Sequence, residues 1–239
     1  MSKANASLNA SLEQTQASWG FLTVFQLACN ILAVCTNGFV LGVFLRRPAL
    51  RSPFKIYLIL LLACNLLNAI TAGPFDVYGN MYEIWQLGTQ VCTYYLFFSW
   101  LLQAIILTVH FAITANRMWA VFFPHHYRSH HSGRLALVVC LLLTLSGLLL
   151  VSPFVLLDAT IYRLPTSDNG CHINFSAQWA YLAFLQLVYY DVPVMFPIAM
   201  YPLLWYKHFQ RSHSRIGNSA LQKEPARTTG NYERACLSC

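Results

Sequence analysis

The sequence predicts an all-α membrane protein of five transmembrane helices, with its N-terminus outside and its C-terminus in the cytosol. Three observations lead there. First, 57% of the 239 residues are hydrophobic and only 10% are charged, where a soluble domain carries about a quarter charged. Second, apolar runs at 21–45, 56–77, 93–122, 135–157 and 180–205 are each long enough to cross roughly 30 Å of hydrocarbon. Third, thirteen of the fifteen Lys and Arg residues fall in alternate connections or in the tail, leaving only Lys3 and Arg163 for the opposite side. That asymmetry orients the chain by the positive-inside rule. It also divides the net charge of +7 between spans, which argues against nucleic acid as a partner.

Three segments follow: an extracellular tail at 1–18, a five-span bundle at 19–205 and a basic cytosolic tail at 206–239. The first tail is polar and lacks an apolar core before a small-residue cleavage site, so no cleaved signal peptide is expected. It carries two glycosylation sequons, at Asn5 and Asn9, and a third stands at Asn174. All three fall outside by the charge count. The first run places Asn30 and Asn37 seven apart, on one helical face. The second carries Asn65 and Asn68, and an amide bond between Asn65 and Asn37 is the expected use of the former. Pro74, Pro153 and Pro193 are tolerated as kinks.

The third run is interrupted by Ser99, Gln103, His110 and Thr114, and Arg117 follows it. The spacing puts these groups on one stripe of a helix. Bundle contact is the ordinary use of such a stripe, but an arginine at the end of a span is costly to bury. Its alternatives are a functional cation and an interfacial anchor reaching to lipid headgroups. Cys92 precedes Arg117 by 25 residues, roughly 37 Å at helical rise and about one bilayer thickness. Of eight cysteines, Cys92 and Cys171 are the two in outer loops, and a disulfide between them is expected.

The fifth run holds Asp191, the one acid within it. An intramembrane carboxylate is a functional candidate, although one near a loop also reaches water. With Ser99, Trp100, Gln103 and Tyr190 it would line an outward cavity for a polar ligand. His125, His126, His130 and His131 lack an acid or thiol to join them in a metal site. They read instead as a loop that gains charge in mild acid and lies on anionic lipid. No metal, cofactor or catalytic constellation is found, so the chain does not read as an enzyme. Residues 210–239 are basic and lack helical apolar period, and disorder is expected there.

The stretch from Asn116 to Tyr127 carries a resemblance. Arg117, Ala120, Val121, Pro124 and Tyr127 match in spacing the end of the third span of rhodopsin-like G protein-coupled receptors. Trp85-Gln-Leu-Gly88, with Cys92 four residues on, resembles that family's first outer loop. Asn37-Gly38 resembles its first-span asparagine, and Pro193 with Tyr201 its fifth-span pair. The resemblance covers about residues 20–205, five of the family's seven spans. It implies a plasma-membrane or secretory-pathway receptor, truncated after the fifth span, with an unknown extracellular ligand.

It further implies that Arg117, Pro124 and Tyr127 face a heterotrimeric G protein when spans six and seven complete the bundle. Where the family has an acid beside the arginine, Asn116 stands, so that local restraint is weaker. Asn65 and Ile106 replace the groups of the family's sodium site, and no sodium pocket is expected. Ser99 stands where amine receptors carry aspartate, which disfavours an amine ligand. The competing expectation is a non-signalling isoform that forms a receptor dimer with full-length relatives and modulates them.

Overall fold

The computed structural model describes residues 17–46, 53–82, 84–166 and 170–221, with side chains to Gln210. The five runs are five helical spans, Phe21–Arg46, Pro53–Met81, Gly88–Phe122, Gly133–Tyr162 and Trp179–Gln210. In a bilayer the backbone has no water to bond, so an apolar segment closes its own hydrogen bonds as helix. Asn5, Asn9 and the connection at 47–52 lie outside the described residues.

The helices are α1 (Phe21–Arg46), α2 (Pro53–Thr71), α3 (Gly73–Met81), α4 (Gly88–Phe122), α5 (Pro124–His130), α6 (Gly133–Leu157), α7 (Trp179–Leu185) and α8 (Val192–Leu221). The long α4 is the axis of the bundle, packed by α2, α6 and α8. Its buried face runs from Cys92 and Leu96 through Ala104, Ile105 and Val109 to Asn116. By contrast α1 buries only Thr23. The hydroxyl of Thr23 donates to the carbonyls of Ser18 and Asn80, each at 3.1 Å. One hydroxyl thus staples the start of α1 to the end of α3.

Helix breaks follow local chemistry. The second span is interrupted at Ala72, and Pro74 starts α3 in the first turn, where its missing N–H has no partner to lose. Gly73 lets α1 come close, because a Cβ there would stand 2.5 Å from the side-chain amide of Asn30. Pro124 likewise opens α5, and Ser132 caps α6 by accepting from the Leu135 N–H at 3.3 Å. A π-helical turn at Gln186–Asp191 joins α7 to α8 just before Pro193. Proline removes one ladder donor, and a widened turn is a common way to absorb that.

Two expectations are corrected. Asn37 and Asn65 do not bond each other; the Asn37 amide turns back to the Ala33 carbonyl on its own helix at 2.8 Å. A carbonyl one turn away is always within reach, whereas an interhelical partner needs matched facing. The disorder expected from residue 210 also does not begin there, because α8 continues to Leu221. Once a span has supplied the helical nucleus, each further residue adds a hydrogen bond at little cost, even without an apolar face. The part of the tail from residue 222 onward lies outside the described residues.

Candidate functional site

Two ends of the bundle hold the chemistry. At one end α4 runs out into Arg117, which is exposed. Its guanidinium lies over the Phe54 ring, 4.6 Å from the centroid, an arrangement worth roughly 0.5–1 kcal/mol at an exposed site. Among the described residues no carboxylate pairs with it. Asn116, which stands beside it, is buried and donates to the Tyr127 hydroxyl at 3.3 Å. Pro124 starts the short α5 that carries Tyr127 back toward α4.

Three of the four histidines of this end sit in ring stacks, and His125 is exposed beside them. His126 lies on His130 at 4.1 Å between centroids and His131 on Tyr127 at 4.3 Å. The Trp119 indole donates to Nδ1 of His126 at 3.0 Å. Burial holds the His131 imidazole below its ordinary pKa, and its Nε2 has no partner among the described residues. No group of three or more metal-ligating side chains occurs among the described residues.

The opposite end is locked. Cys92 at the top of α4 is bonded to Cys171, with Cα atoms 5.5 Å apart. Trp85 is buried and its indole donates to the Gly88 carbonyl at 3.0 Å. Gly88 adopts φ +80°, which a side chain would resist. The Trp85-to-Gly88 motif is therefore a turn that delivers Cys92 to its partner. Beside it, Asp158 is fully buried and pairs with Arg163 at 2.7 Å. Its other oxygen accepts from the Asn174 N–H at 2.9 Å, and Arg163 reaches on to the Thr93 hydroxyl. The Asn174 amide donates to the Tyr162 carbonyl at 2.9 Å. The loop is fastened to α4 by one disulfide and the Arg163–Thr93 bond, and to the end of the fourth span by the buried ion pair.

Between the disulfide, α1, α3 and α4 lies a cavity of about 380 Å³. Asp76 lines it, held by the Tyr95 hydroxyl, which donates to Oδ1 at 2.7 Å. Phe75, Trp85 and Tyr95 form the aromatic wall, with centroids 5.8–6.2 Å apart. Neither Asp76 nor Asp158 was among the expected site residues. The signal for Asp76 was present, since it is an acid within the second apolar run just as Asp191 is in the fifth.

The expected pocket residues are placed apart from that cavity. Trp100 and Tyr190 come together edge to face at 5.7 Å, and the Tyr190 hydroxyl donates to the Trp100 carbonyl at 3.4 Å. Ser99 is half-buried next to them on α4. Gln103 and Asp191 are exposed, and Asp191 accepts from the Gln186 amide at 3.1 Å.

A family profile described as 7 transmembrane receptor (rhodopsin family) matches residues 36–233. The chain is 23% identical to the histamine H4 receptor of Rattus norvegicus over 208 residues, 85% of this chain and 52% of that protein. It is 28% identical to the alpha-2B adrenergic receptor of Erinaceus europaeus over 198 residues, 81% of this chain and 46% of that protein. Against the histamine H4 receptor of Homo sapiens the figures are 22% over 226 residues, 92% and 56%. The chain spans about half the length of the curated relatives it matches.

Proposed function

Because the chain belongs to the seven-transmembrane receptors of the rhodopsin family, we propose that its locked end receives an extracellular ligand and its arginine end engages a heterotrimeric G protein. The cytosol then lies beside Arg117, and Asn5, Asn9 and Asn174 are glycosylation acceptors on the far side of the membrane. The observation that carries the reading is the state of Arg117. It is exposed at the end of α4, with a ring beneath it and no carboxylate beside it among the described residues. A cation so placed is free to meet acceptors on a partner. Pro124 and Tyr127 shape the neighbouring surface, and Ser99, Trp100, Gln103, Tyr190 and Asp191 line the ligand path along α4 and the π-helical turn before α8.

A second reading rests on a separate observation. Gln103 and His110 are exposed on the flank of α4, and polar groups are costly against lipid. A full-length receptor lying along that flank would cover them, and the five-span chain would act by pairing rather than by signalling.

The test joins residues 1–239 to the sixth and seventh spans of the rat histamine H4 receptor and expresses the product in cells lacking related receptors. Basal G-protein dissociation should exceed that of residues 1–239 alone at equal surface label, and Arg117→Ala should abolish the excess. Dissociation equal with and without Arg117 would refute the coupling role. Dissociation from the five-span chain alone would refute the pairing reading.

A further inference from the structure

We propose that the cavity at the disulfide end is a recognition site for a small organic cation, with Asp76 as its counter-ion and the rings of Phe75, Trp85 and Tyr95 as its walls. The proposal rests on the receptor reading above for its purpose, but its chemistry stands on the site itself. Among the described residues Asp76 is the one carboxylate that lines the cavity, and no arginine or lysine lines it. A carboxylate in such a place attracts a positive group, and aromatic faces around it favour the same sign of charge. Carboxylate and aromatic wall therefore select together.

Three details narrow the ligand. The volume of about 380 Å³ lies at the small end of the range for ligand pockets, roughly 300–1,000 Å³. That suits one ring with a short chain better than a folded peptide. Tyr95 already occupies Oδ1 of Asp76, and no described donor meets Oδ2. One free oxygen serves an ammonium, which is a point donor, better than a guanidinium, which wants both oxygens. Gln26, Asn80 and His172 line the same space, so hydrogen-bonding residue types are at hand for a hydroxyl or amide on the ligand.

The site is also built in advance. Trp85 is fixed by its bond to Gly88, Cys171 in the cavity wall is tied to Cys92, and Tyr95 is tied to Asp76. A preformed pocket loses little freedom when it binds. Ser99 offers no carboxylate from α4, so the acid is supplied from α3 instead. The cation would therefore sit against the first three spans and the disulfide loop, away from Asp191 in the turn before α8.

The test uses residues 1–239 in maltoside micelles, which carry no charged headgroup. Direct binding and thermal stabilisation are measured with 2-phenylethylammonium, with the guanidinium analogue and with neutral 2-phenylethanol. The ammonium should bind and raise the melting temperature, the guanidinium should bind more weakly, and the alcohol should do neither. Asp76→Asn should weaken the ammonium by about tenfold or more, the size expected for loss of a charge-assisted bond. Asp76→Glu should retain part of the affinity, which keeps the test open if the asparagine variant folds poorly.

Equal response to the ammonium and the alcohol would overturn the proposal, as would no response to any probe. So would loss of binding on Asp191→Asn with Asp76→Asn unaffected. Binding without G-protein dissociation in the joined receptor would count against the receptor reading alone. Dissociation there without ammonium binding would count against the cation site alone.

Discussion

The two ends of the bundle are held by different kinds of force. At the disulfide end there is a covalent bond, a buried ion pair and a staple of hydroxyl bonds from Thr23. At the arginine end there are stacked rings, one amide-to-hydroxyl contact at 3.3 Å and an arginine resting on Phe54. Bonds of the first kind define one geometry and fail abruptly. Contacts of the second kind are each worth about a kilocalorie and can be exchanged for others. The receptor role proposed above would use this contrast, with a fixed mould at one end and a rearrangeable surface at the other.

The contrast can be broken most forcefully at Asp158. Asp158→Ala leaves Arg163 buried without its partner, and removal of one member of such a pair costs about 3–5 kcal/mol. Thermal unfolding in micelles should show the largest drop of any single change considered, and Arg117→Ala should leave the same measurement almost unmoved. Equal losses at the two sites would erase the distinction between the ends.

Cys171→Ser comes next. Opening a loop between residues 79 apart should cost about 2–5 kcal/mol. The loss should appear in unoxidised protein as well as in the variant, so reduction of the wild-type chain provides the check. At the loose end the effects shrink. Tyr127→Phe removes the acceptor of the Asn116 amide and should cost about 0.5–1.5 kcal/mol, read as a small shift of the same transition.

The smallest effect is one of pH. Burial lowers the His131 pKa from its ordinary 6.5, so the unfolded chain binds that proton more readily than the folded one. Stability tied to this group is therefore present above about pH 6.5 and is lost as pH falls through the lowered folded value. His131→Gln should remove that part of the acid dependence, measured as the difference in melting temperature between the two proteins from neutral pH downward. A variant that tracks the wild type throughout would show that His131 is not the sensitive group.

Much of this architecture was legible in the sequence because the membrane leaves few choices. The five spans follow from run length, and the disulfide from which cysteines are left outside. Arg117, Pro124 and Tyr127 were singled out by their resemblance to a receptor motif, and their facing of a G protein stands as a proposal. What escaped depends on contacts between distant residues. Asp76 is visible as an acid in an apolar run, but its importance lies in Tyr95, 19 residues on, and in a loop tied down by Cys171. Asp158 sits at a span end where water is the default expectation, and only the return of Arg163 and Asn174 buries it. The Asn37 amide chose its own helix over Asn65, a choice made by facing angles that spacing does not contain. The length of α8 was missed for a different reason: a polar helix carries no apolar period to detect.

The close approach at Gly73 has a consequence for the order in which this sequence can change. A methyl group there would overlap the Asn30 amide in its present position, so a larger residue at 73 requires that side chain to turn aside. A smaller residue at 30 removes the obstacle, after which position 73 is free to vary. The two sites are thus coupled asymmetrically: a larger residue at 73 requires the Asn30 side chain to turn aside, whereas a smaller residue at 30 requires nothing of 73. Surface expression of Gly73→Ala, Asn30→Ala and the double variant would expose the asymmetry, with the double variant faring better than Gly73→Ala alone.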